Sequence, residues 1–278
     1  MTTFILQGDS LTESVAKNFA DTVVGKLNSY VNYAVIETAN TYENKTLASL
    51  RQQYAFDINV LPSGFVTDQA QLLVTDMDST LINIECVDEI ADFINVKPQV
   101  SAITESAMRG DIDFETSLRE RVALLKGLEV SVLEKVYEQR LQLNPGAEIM
   151  LMALKQKGIK IALVSGGFTF FTERLKQRLG LDYTMANVLG DHNGRLTGEV
   201  VGNICGAQSK ADFLLTQCEL LNITPNQVIA MGDGANDLLM MDEAGLSIAY
   251  HAKPAVQVRA QTALNYCGLD GVLGLLQL

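Results

Sequence analysis

The chain has 278 residues, 47% hydrophobic and 19% charged, with a formal net charge of −12 and a pI near 4.6. That length accommodates one large α/β domain with additions, or two domains, and the apolar content is enough for a sizeable core. The acidic balance argues against a nucleic-acid partner, whose phosphates require basic patches, and no apolar run is long enough to span a bilayer, so neither nucleic acid nor membrane is expected.

The first seventy residues alternate short apolar runs with helical patterns. Phe4-Ile5-Leu6 predicts a strand, Leu11 to Leu27 an amphipathic helix, and Ala34-Val35-Ile36 a second strand. Leu47 to Tyr54 then predicts a helix and Phe56 to Leu61 a third strand. Pro62-Ser63-Gly64 breaks the pattern and marks a boundary, so residues 1–70 are expected to form a small α+β domain. The start Met1-Thr2-Thr3-Phe4 lacks the basic region and apolar core of a secretory signal. Together with four dispersed cysteines (Cys86, Cys205, Cys218, Cys267), which read as reduced and mostly buried thiols, it points to the cytoplasm.

From Gln71 the texture changes. Apolar runs at Leu72–Val74, Ile159–Val164 and Val228–Met231 each precede a loop rich in Gly, Ser or Asp and then a helix. Strand-loop-helix repetition predicts a Rossmann-like α/β fold, a parallel sheet with helices on both faces and ligands beyond the carboxyl ends of its strands. Between the first two runs lies an excursion from Glu85 to Asn144 that reads almost wholly as helix: Val87–Phe93, Val100–Met108, Phe114–Leu125 and Val130–Leu141. It is longer than a crossover requires and is expected to be a helical cap over about 86–144, inserted after the first strand.

Four segments carry chemistry. Asp76-Met77-Asp78-Ser79-Thr80 ends the first run with two carboxylates two residues apart, an oxygen-rich set suited to a hard cation. Ser165-Gly166-Gly167 ends the second run with a hydroxyl and open backbone N–H groups, an anion cradle or a plain turn. Lys210 stands in the first turn of a predicted helix, where its charge does not help the helix; it is either a surface lysine or a phosphate ligand. Gly232-Asp233-Gly234-Ala235-Asn236-Asp237 follows the third run, and its glycines admit close approach of a ligand. His192 lies beside an Asn-Gly hairpin signal and His251 after an apolar run, so neither is expected to act in catalysis.

In this order the four segments resemble the haloacid dehalogenase superfamily of phosphohydrolases. The match extends through Glu85, Met108, Phe114-Glu115-x-Ser117-Leu118-Arg119-x-Arg121-Val122, so the chain looks like the branch that acts on phosphoserine. It runs over about residues 71–270, with the phosphohydrolase domain taken as 71–278. The resemblance implies hydrolysis of O-phosphoserine, the last step of serine biosynthesis, with Mg²⁺ as cofactor. Asp76 would be the nucleophile that forms an aspartyl-phosphate, and Asp78 the general acid and base. Mg²⁺ would be held by Asp76, the Asp78 backbone carbonyl and Asp233. Ser165, Gly166, Lys210 and Asn236 would bind the phosphate side, with Asp237 orienting Lys210 or metal-bound water. In the cap, Glu85 would pair with the substrate ammonium and Arg121 with its carboxylate, while Met108 and Phe114 close the apolar side; Arg109 is a weaker cap candidate. Relatives often carry an ACT-type domain at the N-terminus, and residues 1–70 are expected to be ACT-like. A homodimer is compatible with the sequence.

The sequence also admits rival functions. Gly8-Asp9-Ser10-Leu11 reproduces the name motif of the GDSL esterases, but neither histidine has an aspartate three residues before it, and Ser10-x-x-Glu13 reads better as a capping box. A phospho-accepting receiver would lack a group like Asp78, and a P-type pump would need membrane spans. Within the family, the alternatives are a phosphatase for a related phospho-amino alcohol and a phosphotransferase using homoserine.

Overall fold

The computed structural model describes residues 2–278; the side chains of Asn44 and Met108 lie outside the description. The N-terminal stretch runs β1 (Thr2–Gln7), α1 (Glu13–Val23), β2 (Gly25–Ser29), β3 (Tyr33–Thr38), α2 (Asn44–Gln53) and β4 (Asp57–Val60). The strands form an antiparallel sheet ordered β2-β3-β1-β4, a ferredoxin-like β-α-β-β-α-β arrangement. Alternate residues Phe4 and Leu6 share one face with Ile36 and Ile58 and pack on Ala16, Phe19 and Val23 of α1.

Two expectations fail here. The predicted helix to Leu27 stops at Val23, because Val24 adopts a left-handed φ of 52° that ends the helix. Residues 25–27 belong to β2, an edge strand whose only large apolar residue is Leu27, too little for an alternating pattern. Nor does Ser10 cap α1. The N-cap is Thr12, whose hydroxyl accepts from the Val15 N–H at 3.3 Å, and Ser10 donates to the Ala55 carbonyl.

The second sheet gathers seven strands. In chain order the elements are β5 (Leu72–Thr75), α3 (Cys86–Phe93), α4 (Lys97–Arg109), α5 (Phe114–Ala123), α6 (Ser131–Gln139), α7 (Ala147–Gln156), β6 (Lys160–Phe168) and α8 (Thr169–Leu179). They continue with β7 (Tyr183–His192), β8 (Arg195–Val201), α9 (Ala207–Leu221), β9 (Val228–Gly232), α10 (Leu238–Glu243), β10 (Leu246–Tyr250), α11 (Pro254–Arg259), β11 (Thr262–Leu264) and α12 (Gly271–Leu275). The sheet order is β11-β10-β9-β5-β6-β7-β8, parallel except for the β7–β8 hairpin. That hairpin turns at Asn193-Gly194, both at positive φ (52° and 75°), as the Asn-Gly signal anticipates.

Both faces of this sheet are covered, which is why its strands read as continuous apolar runs. Leu73, Ile161, Leu163, Ile229 and Met231 face α7 and α8 through Met150, Leu154, Phe171 and Leu175. Their neighbours Leu72, Val74, Ala162, Val164 and Ala230 face Leu214, Cys218, Met240 and Val256 of α9, α10 and α11. The α/β expectation agrees with this arrangement. Between β5 and β6 the chain leaves the sheet for the four helices α3 to α6. It departs and returns through one pinch: Ile82 bridges Leu143, and the Asn144 Nδ2 donates to the carbonyls of Thr80 (2.8 Å) and Ile82 (3.1 Å). Leu118, Val122, Leu133 and Val136 of these helices join the same apolar cluster as Leu196 and Val200 of β8, so the excursion rests on the hairpin. All four cysteines are free thiols, three of them buried.

Candidate active site

Strands β9, β5 and β6 are adjacent and parallel, so the residues that follow them emerge at one sheet edge. Asp76 directly follows β5 and is 5% exposed; its N–H donates to the Met231 carbonyl at 2.9 Å, tying it to β9. The ammonium of Lys210, wholly buried in the first turn of α9, donates to Asp76 Oδ1 and to Asp237 Oδ1, both at 2.7 Å. Asp237 Oδ2 accepts the Gly234 N–H at 3.1 Å, so both its oxygens are engaged. Gly232 has no room for a side chain because the Asp237 carboxyl occupies that space.

The carboxylates of Asp76, Asp233 and Asp237 offer oxygens that all lie within 4.8 Å of one another. Their electrostatics are those of a site short of positive charge. Burial and the neighbouring Asp237 push the Asp76 carboxyl well above the ordinary range, against the pull of Lys210. Burial, then Asp237 and Glu85, raise Asp233 to about 6, opposed by the Thr80 hydroxyl and Lys253. Burial alone would lower Lys210, but Asp237 and Asp76 more than offset it and hold the ammonium protonated. One ammonium among three clustered carboxylates leaves a deficit that a hard, oxygen-seeking divalent cation fits.

Asp78 points elsewhere. Its Oδ1 accepts the Cys86 N–H at 3.2 Å, at the start of α3, and a Cβ on Gly167 would stand 2.9 Å from its Oδ2. Its side chain is therefore not part of the acidic trio but lies between the cap and the β6 loop. Burial first, then Glu85, raise its carboxyl to about 7. The turn after Asp78 is sharp: Ser79 sits at φ 56°, a left-handed conformation uncommon for serine, and its hydroxyl donates to Glu85 at 2.7 Å.

Ser165 is buried in β6, just past Val164 where its pairing with β7 is interrupted, and its Oγ accepts the Gly167 N–H at 2.8 Å. From the cap, Phe114 reaches down to this loop: a Cβ on Gly166 would stand 3.1 Å from its Cζ, and one on Gly206 would stand 3.6 Å from its Cδ1. Arg121 lies half-buried in the last turn of α5, with Nε donating to its own helix at Ser117 O (3.3 Å). Burial lowers its pKa, against the nearby Asp88, Glu85 and Asp78. The exposed charge pair on this helix is Arg119 with Glu115, not Arg121. Arg109 pairs with Asp111 on the surface. Asn236 is half-buried beside Gly234. Met108 belongs to the last turn of α4, but its side chain lies outside the described residues.

Three contributors carried no separate signal in the sequence. Thr80 Oγ1 donates to Asp233 Oδ1 at 3.1 Å; it stood inside the first motif without a distinct role. Lys253 donates its backbone N–H to the Asp233 carbonyl at 3.1 Å, from a loop with no motif of its own. Asn187 is fully buried on β7, a strand the hydrophobic pattern does not reveal, and its Nδ2 donates to the Gly166 carbonyl at 2.8 Å.

The chain is similar to known hydrolases in sequence and in fold. Residues 70–245 match the family model of the haloacid dehalogenase-like hydrolases. A phosphoserine phosphatase of Polaromonas sp. (strain JS666) is 55% identical over 225 residues, covering 79% of this chain and 95% of the relative. The crystal structure of a HAD family hydrolase from Salmonella enterica serovar Typhi superposes with a TM-score of 0.92 at 34% identity, covering 100% of this chain and 99% of the other. A solved phospho-aspartyl intermediate analogue of phosphoserine phosphatase superposes at TM-score 0.69 and 40% identity, covering 73% of this chain and 97% of its own.

Proposed function

The chain belongs to the haloacid dehalogenase-like hydrolases, and from that premise we propose that it hydrolyses O-phosphoserine to serine and phosphate. The observation that carries this reading is the buried Lys210 ammonium shared by Asp76 and Asp237 at the mouth of three adjacent parallel strands, with Asp78 two residues from Asp76.

In this reaction an Asp76 carboxylate oxygen attacks phosphorus. A new O–P bond forms, the serine O–P bond breaks, and an aspartyl-phosphate results. Asp78 donates its proton to the departing serine oxygen, then takes one from the water that releases phosphate. A carboxyl raised to about 7 is suited to both halves of that exchange near neutral pH. Lys210 offsets the charge that builds on the phosphoryl oxygens, and Asp237 keeps it aimed. Ser165, the Gly166 N–H and Asn236 bind phosphate oxygens. Glu85 and Arg121 take the substrate's ammonium and carboxylate, and Phe114 and Met108 are assigned to the apolar side of the pocket.

We assign Mg²⁺ to Asp76, the Asp78 backbone carbonyl and Asp233; when bound, it neutralises the repulsion between a carboxylate and a phosphate dianion. We further propose that residues 1–70 form an ACT-like domain, which the strand order of their sheet supports. The free thiols favour a reducing, cytoplasmic setting. The test is phosphate release from phosphoserine with Mg²⁺, which Asp76→Asn should reduce to background. A chain that becomes stably phosphorylated without turnover would refute the hydrolase assignment.

A further inference from the structure

We propose that Asn187 is a positioning residue that locks together the two loops supplying the phosphate-binding groups. The inference rests on the phosphate roles proposed above for Ser165, Gly166 and Lys210. Strands β6 and β7 pair in regular register through Val164 and Met185, and pairing resumes at Phe168 and Asn187. Over that interval β6 advances four residues and β7 only two, so Ser165, Gly166 and Gly167 bulge out of the ladder. A bulge forfeits ladder hydrogen bonds, and a buried carbonyl left unpaired there would be costly.

Asn187 stands at that break and is 0% exposed. Its Nδ2 donates to the Gly166 carbonyl at 2.8 Å, replacing a lost rung, and its Oδ1 accepts the Cys205 N–H at 2.8 Å. Cys205 leads directly into Gly206, whose carbonyl accepts the Lys210 N–H at 3.0 Å and so begins α9. A single planar amide thus spans from the Ser165–Gly167 loop to the turn that carries Lys210. Both partners are backbone groups, so the amide fixes main-chain positions and through them where the cradle N–H groups and the ammonium point. An aspartate cannot donate to Gly166, and an apolar residue satisfies neither loop.

The experiment uses the full chain with Asn187→Ala and Asn187→Leu, the second filling the space so that a cavity is not the cause. Ile36→Ala, in the core of the N-terminal sheet, serves as the control for general destabilisation. Binding of inorganic phosphate with Mg²⁺ is measured calorimetrically, below the melting temperature of every variant, beside kcat and KM for phosphoserine. Both Asn187 variants should bind phosphate at least about 10-fold more weakly and lose about 10- to 100-fold in kcat, the scale of a misplaced reacting group. The control should stay within about twofold of the parent on both measures. Phosphate affinity unchanged in the Asn187 variants, with only the melting temperature lowered, would overturn the proposal and leave a purely structural amide. A parent chain that binds phosphate but spares phosphoserine would defeat the substrate assignment alone, and weaker phosphate binding in the variants would still support the clamp.

Discussion

Lys210 shows how much of a site can be written in a few spaced residues. A lysine in the first turn of a helix works against the helix dipole, and burying its ammonium completely is tolerable only with carboxylates in contact. The motifs around Asp76 and Asp233 were legible because paired carboxylates and glycines are unusual at strand ends, whereas Lys210 read equally as a surface lysine and gained its role only through the family resemblance. Asn187 and Lys253 were not legible, since an asparagine in a strand or a lysine before a proline is unremarkable until the fold brings it to the site. The charge deficit has a measurable consequence. Burial first, then neighbouring carboxylates, raise Asp233 and Asp78 from the ordinary 3.8 to about 6 and about 7. A carboxyl whose pKa rises on folding contributes stability that is full below its unfolded value and is lost as pH climbs through the folded one. In EDTA, therefore, these two groups should make the melting temperature fall between about pH 4 and pH 7, by several degrees for a chain of this size. Excess Mg²⁺ should flatten the slope by supplying the missing charge. A melting temperature that rises steadily over that window in EDTA, at constant ionic strength, would contradict the assignment.

The elements divide by how they are buried. Strands β5, β6 and β9 are covered on both faces and announce themselves as apolar runs, whereas β2, β7 and β8 carry polar or half-exposed residues and left no such trace. The cap helices were legible by their period, but not what they touch. Only the folded chain brings Phe114, at the start of α5, down onto Gly166, and leaves Arg121 at the other end of that helix among Glu85, Asp88 and Asp78. With Nε held by Ser117 O, the terminal nitrogens of Arg121 are the fork that can take a carboxylate. Arg121→Ala should accordingly cut kcat/KM for phosphoserine at least about 10-fold more than for phosphoethanolamine, which lacks the carboxylate. Equal losses on the two substrates would mean that Arg121 merely packs the cap.

At the scale of the molecule, Ile5 of β1 enters the same apolar cluster as the larger sheet, with Tyr33 and Leu61 packed against it, while the polar part of the join between the two sheets was invisible in the sequence because its side chains follow no pattern. Asn59, fully buried on β4, donates to the Ala263 carbonyl at 2.8 Å and accepts its N–H at 2.9 Å, imitating a ladder rung against edge strand β11. Asp57, 3% exposed, accepts the N–H groups of Asn265 (2.7 Å), Tyr266 (3.1 Å) and Cys267 (3.1 Å). Gln7 adds a bond from Nε2 to the Gly271 carbonyl at 2.7 Å. These contacts lie at the β11 end of the sheet, with β10 between β11 and the site-bearing strands β9, β5 and β6. Asn59→Leu leaves a buried N–H and carbonyl without partners, at about 1–3 kcal/mol each, so the melting temperature should fall by several degrees while kcat stays near the parent's. Deleting residues 1–61 is expected to be milder than its size suggests, because the same backbone groups then meet water instead of a dry gap. The solved phospho-aspartyl analogue matches 73% of this chain with 97% of its own, so a fold of this kind forms on fewer residues than this chain has. A chain beginning at Pro62 should therefore fold and turn over phosphoserine, with faster amide exchange confined to residues 263–267 and the loop beyond. Exchange that accelerates throughout β9 and β5, or turnover that disappears, would show instead that the N-terminal sheet supports the active site across the width of the core.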